Sequence, residues 1–265
     1  REELAVPKTF RDYNRVASFF TRGCNAASPT QYGSTVAIGN VVVSPSEFMP
    51  RLFAENGRLL DSQGRITLDT PEALRALENY RETYSYSDRT IYDFWKNALE
   101  GFADGTAAMT VVFINYASHI LNSQMSRIAG KLGFAPVPGG KPLLGGGVIG
   151  IAQSCTCPAA ACKFLEWLYA DLVAPVFTML GGLSPCRSAY SNRDISEQYP
   201  WLSTARKSFP TAQRRSNSTY YQNFSELQLE TILAAHVQQA VLGVCSPEEA
   251  LKQAQEDCNR YFQPW

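Results

Sequence analysis

The sequence predicts an α/β fold, rich in helix and sparing in strand. Three observations predict it. Apolar residues recur at helical spacing over most of the longer segments, and several of these open with capping signatures. Between them lie short apolar or alternating runs bounded by Gly, Pro and Asn, the pattern of short strands. The chain has 265 residues, 45% of them hydrophobic and 12% aromatic, enough for a substantial core in one large domain or two smaller ones.

In chain order, Pro7 to Thr21 reads as a helix capped by Thr9, with Phe10, Tyr13, Val16, Ala17 and Phe20 on one face. The turn residues of NAASPTQYGSTVAIGN break it and lead into a short β-like run. SPSEFMPRLFAENG restarts as a helix, with Ser46 as cap and Asn56-Gly57 as stop. A small hairpin is expected around Ser62-Gln63-Gly64, with Ile66 and Leu68 alternating. Thr70 then caps a helix with Pro71 at its first position and Glu72 in its first turn. A further helix ends at Gly101 to Gly105, a strand runs from Ala107 to Ile114, and NYASHIL begins another helix. LGFAPVPGGKP reads as a strand entering a Pro/Gly turn. Pro158 to Leu180 reads as one long helix kinked at Pro175. Two helices are expected between Ser225 and Phe262, split at Gly243, the second opened by Ser246-Pro247-Glu248-Glu249. SYSDRTIYDF and YSNRDISEQYPWLS read as loops.

Composition removes several function classes. There are 24 basic and 24 acidic residues, so nothing electrostatic favours nucleic acid or an anionic membrane surface. Mean hydropathy is negative and no run approaches 20 apolar residues, which argues against a membrane span. The opening, REELAVPKTFRDY, has no signal-peptide apolar region and no initiator Met, and reads as a piece of something longer. Seven cysteines cannot all pair within one chain. Cys155, Cys157 and Cys162 have no familiar zinc spacing and no second ligand pair follows, which favours structural thiols over a metal. His119 and His236 fall on separate expected helices without metal-pair or triad spacing. Glu248-Glu249 belongs to a first helical turn. An enzyme such as a glycoside hydrolase would need a buried carboxylate pair with shifted pKa values. No cofactor is expected.

Five pieces, in order and in register from Gly101 to Phe262, carry a resemblance. GFADGTAAMTVVFINYASHI holds Phe102, Gly105, Ala107, Ala108 and Met109 in an F-x-x-G-x-A-A-M pattern. LGFAPVPGG, GGGVIGIAQSCTCPAAACKFLEWLYA, LGGLSPCRSAY and SPEEALKQAQEDCNRYF follow. Together they resemble the family 1 extracellular solute-binding proteins of ABC transporters, and VPKTFRDYNRVASFF is similar to that family's helix past the first hinge crossing. The resemblance implies a type II periplasmic-binding-protein-like fold of two α/β lobes with ligand between them. It implies that an N-terminal half-lobe is missing. Residues 1–105 and 137–265 would form the C-terminal lobe, and 106–136 a segment of the mostly missing N-terminal lobe, deprived of its sheet partners.

The same resemblance implies an extracytoplasmic protein, periplasmic or anchored as a lipoprotein, that delivers a carbohydrate or similar small polar solute to an ABC permease without chemistry. The runner-up is a ligand-sensing domain of a regulator or receptor built on the same fold. Sugars present an apolar C–H face to aromatic rings and hydroxyls to planar polar groups and backbone amides. Gly145, Gly146 and Gly147 let backbone N–H groups approach a ligand, or simply form a tight strand-entry turn. Tyr116, beside Asn115, is a stacking aromatic or a core residue. Arg187 is a bidentate donor or a solvated loop arginine. Tyr32 and Trp95 are further candidates, and Tyr220 and Tyr221 lie at a cleft mouth or pack on the surface.

Overall fold

Local chemistry decides where the helices begin. In the computed structural model, which describes residues 4–39, 41–89, 94–180, 182–191, 195, 197 and 199–265, helix α1 (Phe10–Phe19) starts behind a capping box. The Thr9 side chain accepts from the Asp12 N–H, and the Asp12 carboxylate accepts from the Thr9 N–H. Strand β1 (Tyr32–Thr35) and helices α2 (Val43–Ala54), α3 (Pro71–Ser85) and α4 (Trp95–Ala103) follow. Thr70 caps α3 through the Ala73 N–H, with Pro71 in the first turn, where a missing N–H costs nothing. Strand β2 (Ala107–Thr110) and the short helix α5 (Ala117–Leu121) come next, then α6 (Pro158–Leu168), α7 (Val173–Met179), α8 (Ser188–Ser191) and α9 (Pro200–Ser208). Helix α10 (Glu226–Leu242) ends at Gly243, which takes the left-handed conformation at φ 78°. Ser246 and Glu249 then make the capping box that opens α11 (Pro247–Tyr261).

By contact the chain divides into two compact units: Arg1–Val112 with Val137–Leu144 and Thr211–Trp265, and Phe113–Pro136 with Gly145–Pro210. In the first unit, β1 and β2 pair in parallel, with Tyr32 opposite Ala107 and Thr35 opposite Thr110. Helices α2, α3, α10 and α11 bury Phe48, Leu52, Leu77, Tyr80, Leu229, Leu233, Val237 and Leu251 almost completely. Each such side chain contributes about 1.5–3 kcal/mol relative to exposure. Tyr80 donates its hydroxyl to the Ala37 carbonyl and Gln238 donates to Ile38, which ties the chain after β1 to two of these helices. The second unit has a smaller core of Ala117, Ala174, Ala189, Tyr190, Trp201, Leu202 and Ala205.

Several expectations are corrected. Helix α2 begins at Val43, not at Ser46, and has no side-chain cap; the Ser46 hydroxyl instead accepts from the Arg215 guanidinium. The strand after Gly105 stops at Thr110, and Ile114–Tyr116 is a 3-10 turn. The expected long helix breaks between Leu168 and Val173, and Pro175 falls in the first turn of α7, where it breaks no hydrogen bond. Neither LGFAPVPGG nor GGGVIGI forms a strand. A strand needs a partner's hydrogen bonds, and no described residue offers one to Gly145–Ile151. Strand β2, at the start of the expected 106–136 segment, is held by β1. Parts of the two expected loops, residues 90–93, 192–194, 196 and 198, lie outside the described residues.

Candidate functional site

The second unit gathers most of the sequence candidates. Phe113 opens the 3-10 turn that carries Asn115 and Tyr116. Gly145, thirty-two residues after Phe113, lies against the Phe113 ring: a Cβ there would sit 2.9 Å from Cε1. Gly145 is therefore a close-approach glycine. Gly146 and Gly147 have nothing within 4 Å of a Cβ, so packing does not require glycine there. All three are exposed, and their N–H groups make no hydrogen bond to a described residue. Asn115 is exposed and Tyr116 half-buried. Ala117, next to Tyr116, shares the unit's core with Ala189, two residues after the exposed Arg187. Ile114 and Cys186, neighbours in sequence of Asn115 and Arg187, pack on that core, and Gly145 touches Phe113. Chemically the candidates offer free N–H donors, a phenol ring, an amide and a guanidinium.

Tyr32 and Trp95 belong to the first unit. Tyr32 lines a cavity of about 10 Å³ with Thr35, Val36, Ala98 and Gly101, room for about one water and not for a sugar. Trp95 packs on Ala37, Val43 and Ala98, with the Phe94 ring 5.3 Å away, so much of its face is already used. A larger open depression is lined by Glu78, Arg81, Glu82, Ser85, Ser246, Pro247 and Glu248, with no aromatic. Tyr221 is buried: its hydroxyl accepts from the Ile66 N–H and its ring stacks on Phe224 at 6.4 Å.

Two buried carboxylates, Glu47 and Glu230, are ion-paired, while Glu226 Oε1 is buried without a hydrogen-bond partner. Glu47 pairs with Arg51 at 3.2 Å, and burial pushes its carboxyl up against the pull of that guanidinium. Glu230 pairs with Arg215, and burial likewise raises Glu230 and Glu226. None of the three lines either concavity. Among the described residues no group of His, Cys, Asp and Glu is placed to hold a metal ion, and no helix is long and apolar enough to cross a membrane. Sequence reasoning missed Phe113, whose role rests on a contact across thirty-two residues. It also missed the exposed pair Phe164 and Trp167, because helical spacing marks an apolar face without saying what covers it.

The family described as bacterial extracellular solute-binding protein matches residues 2–204. The chain belongs to this family. As a solute-binding family member it shares its fold with T. maritima MalE3 solved with maltose bound: 20% identity, TM-score 0.81, covering 97% of this chain and 66% of that one. An ABC transporter solute-binding protein of Agrobacterium radiobacter K84 in complex with ribitol gives 21% identity and a TM-score of 0.76, over 97% of this chain and 65% of that one. A curated relative, a probable amino-acid ABC transporter periplasmic-binding protein of Sinorhizobium fredii, is 21% identical over 74% of this chain and 44% of its own length. The chain therefore spans about two thirds of these solved relatives and less than half of the curated one. The type II periplasmic-binding-protein-like fold inferred from the five motifs stands on these likenesses.

Proposed function

We propose that this chain is part of the extracytoplasmic solute-binding component of an ABC transporter, and that it holds a carbohydrate or polyol by binding alone. The observation that carries the reading is the likeness of fold over nearly the whole chain to proteins solved with maltose and ribitol. A third, from Thermotoga lettingae, is 25% identical over 96% of this chain and 64% of its own, with a TM-score of 0.72, and was solved with α-D-tagatose. The local chemistry fits such a ligand. Tyr116 supplies a ring for the C–H face of a pyranose, and Asn115, Arg187 and the free N–H groups of Gly145–Gly147 pair with its hydroxyls. Tyr32 and Trp95 are secondary contacts. The partners are then a small polar solute and a permease, and the function is uptake. The lobe assignment, with 106–136 drawn from the N-terminal lobe, is part of the same proposal.

The test is a thermal-shift panel of monosaccharides, disaccharides, oligosaccharides and polyols, with amino acids as the competing class. A ligand at 100 times its Kd stabilises by about 2.7 kcal/mol, a visible rise in Tm. One sugar or polyol class raising Tm, with Tyr116→Ala reducing the affinity about tenfold by loss of stacking, is the expected result. A rise with amino acids alone would replace the ligand class, and an unchanged Tyr116→Ala affinity would remove that residue from the site.

A further inference from the structure

We infer that Arg215, Glu226 and Glu230 form a proton-controlled latch: one proton on the two carboxylates holds residues 211–217 on the first unit, and its loss loosens them. The inference is independent of which solute is bound.

The segment lies where such control matters. After Leu144 the chain leaves the first unit, and at Thr211 it returns. Just inside the first unit the two stretches pair. Leu143 and Gln213 make a parallel bridge. The Leu144 N–H donates to the Gln213 carbonyl at 2.7 Å, and the Gln213 N–H donates to the Pro142 carbonyl at 2.8 Å. Two residues further on, Arg215 ties this pair to the helices. Its guanidinium pairs with Glu230 of α10 and donates to the Ser46 hydroxyl of α2 at 3.0 Å. The Ser216 N–H bonds to the Glu226 carboxylate. Both stretches are thereby tied to one guanidinium and two carboxylates.

Charge makes the tie sensitive. Glu226 and Glu230 are four residues apart, neighbours on one face of α10. Glu230 is 2% exposed, and Oε1 of Glu226 is buried without a hydrogen-bond partner. Two carboxylates and one guanidinium leave one negative charge uncompensated where water is scarce, which is unfavourable. Helices α2, α3 and α11 pack on α10. Among their charges, Glu47 pairs with Arg51, Arg75 with Glu55 and Glu72, and Asp257 with His236 and Arg260. Glu78, Arg81, Glu82 and Glu248 line the open depression, while Arg214, Lys252 and Glu256 are exposed. Arg215 acts on both carboxylates, and Glu226 acts on Glu230.

A proton makes the trio neutral, ends the repulsion, and turns the orphaned Oε1 from a stranded acceptor into a donor towards Glu230. Burial raises both carboxyls above their ordinary value of 4.5, against the pull of Arg215. The folded chain therefore binds this proton more readily than the unfolded one. The latch is tight in mild acid and loosens as pH rises through the raised values. An ionised Glu226 then regains its hydration by turning to solvent, and gives up the Ser216 N–H.

Hydrogen exchange at the amides of Leu144, Gln213 and Ser216, divided by the intrinsic rate at each pH, tests the inference. Protection about tenfold higher at about pH 5.5 than at about pH 8, with a smaller change across α3, is the expected result. Glu226→Gln copies the neutral side chain, so its three amides should be as protected in mild base as those of the native chain are in mild acid. Arg215→Lys keeps the charge and the pH response, whereas Arg215→Met leaves the three amides fast throughout. No change with pH in the native chain, a change that survives in Glu226→Gln, or an equal change across α3, reporting global stability alone, would each overturn the latch.

Discussion

Arg51 shows how a full charge is kept inside the helical core. Its side chain is 2% exposed, its guanidinium lies 4.7 Å over the Phe10 ring and 4.8 Å over Tyr80, and it pairs with Glu47. Arg51→Ala strands Glu47 and should cost about 3–5 kcal/mol in urea unfolding, whereas replacing both by Met and Leu should cost far less. Glu47 and Asp257 act in opposite senses with pH. Burial raises Glu47, so the unfolded chain loses that proton first and Glu47 takes stability away as pH rises through the carboxylate range. Asp257 is held low, first by its hydrogen bond with His236 at 2.8 Å and then by Arg260. Its contribution is present above the ordinary value near 3.8 and is lost as pH falls through the lowered one. Asp257→Asn should flatten the acid limb of Tm against pH, by about 0.5 kcal/mol given a carboxylate a third exposed to solvent. Burial pushes the Cys258 thiol up to about 12, so native chain treated with iodoacetamide at neutral pH should be labelled at the exposed Cys24, Cys157 and Cys162 and spared at Cys258.

At the scale of elements, capping and close approach set what is rigid. Ser246→Ala removes the box that opens α11 and should cost about 1 kcal/mol by chemical denaturation. Gly33 lies in β1 where a Cβ would stand 1.7 Å from the Ala17 carbonyl oxygen, so Gly33→Ala must push the strand off α1, at about 3 kcal/mol. The caps at Thr9, Thr70 and Ser246 and the stop at Gly243 were legible in sequence because each is a local rule, satisfied within four residues. The strand expected in LGFAPVPGG was a local pattern and is absent as structure, since a strand is completed only by its neighbour. Asn115, Tyr116 and Arg187 could be proposed from motif position. That Gly145 rests on Phe113 could not, because no periodicity links residues thirty-two apart. Trp95, a further candidate from the sequence, packs on Ala37, Val43 and Ala98, a contact between residues far apart in the chain that no local pattern announces.

At the scale of the whole molecule, the first unit holds the larger core and the second carries the free donors and the uncovered apolar face. Membership of the extracellular solute-binding family supports the proposed reading of binding without bond making. Isothermal titration calorimetry with maltose, ribitol, tagatose and larger saccharides, followed by analysis of the recovered ligand, tests that most directly. Saturable heat at one site per chain for one sugar or polyol class, with the ligand recovered chemically intact, is the expected result. Heat for none of them, from this chain and from the polypeptide of the complete coding sequence alike, or recovery of a cleaved sugar, would contradict it.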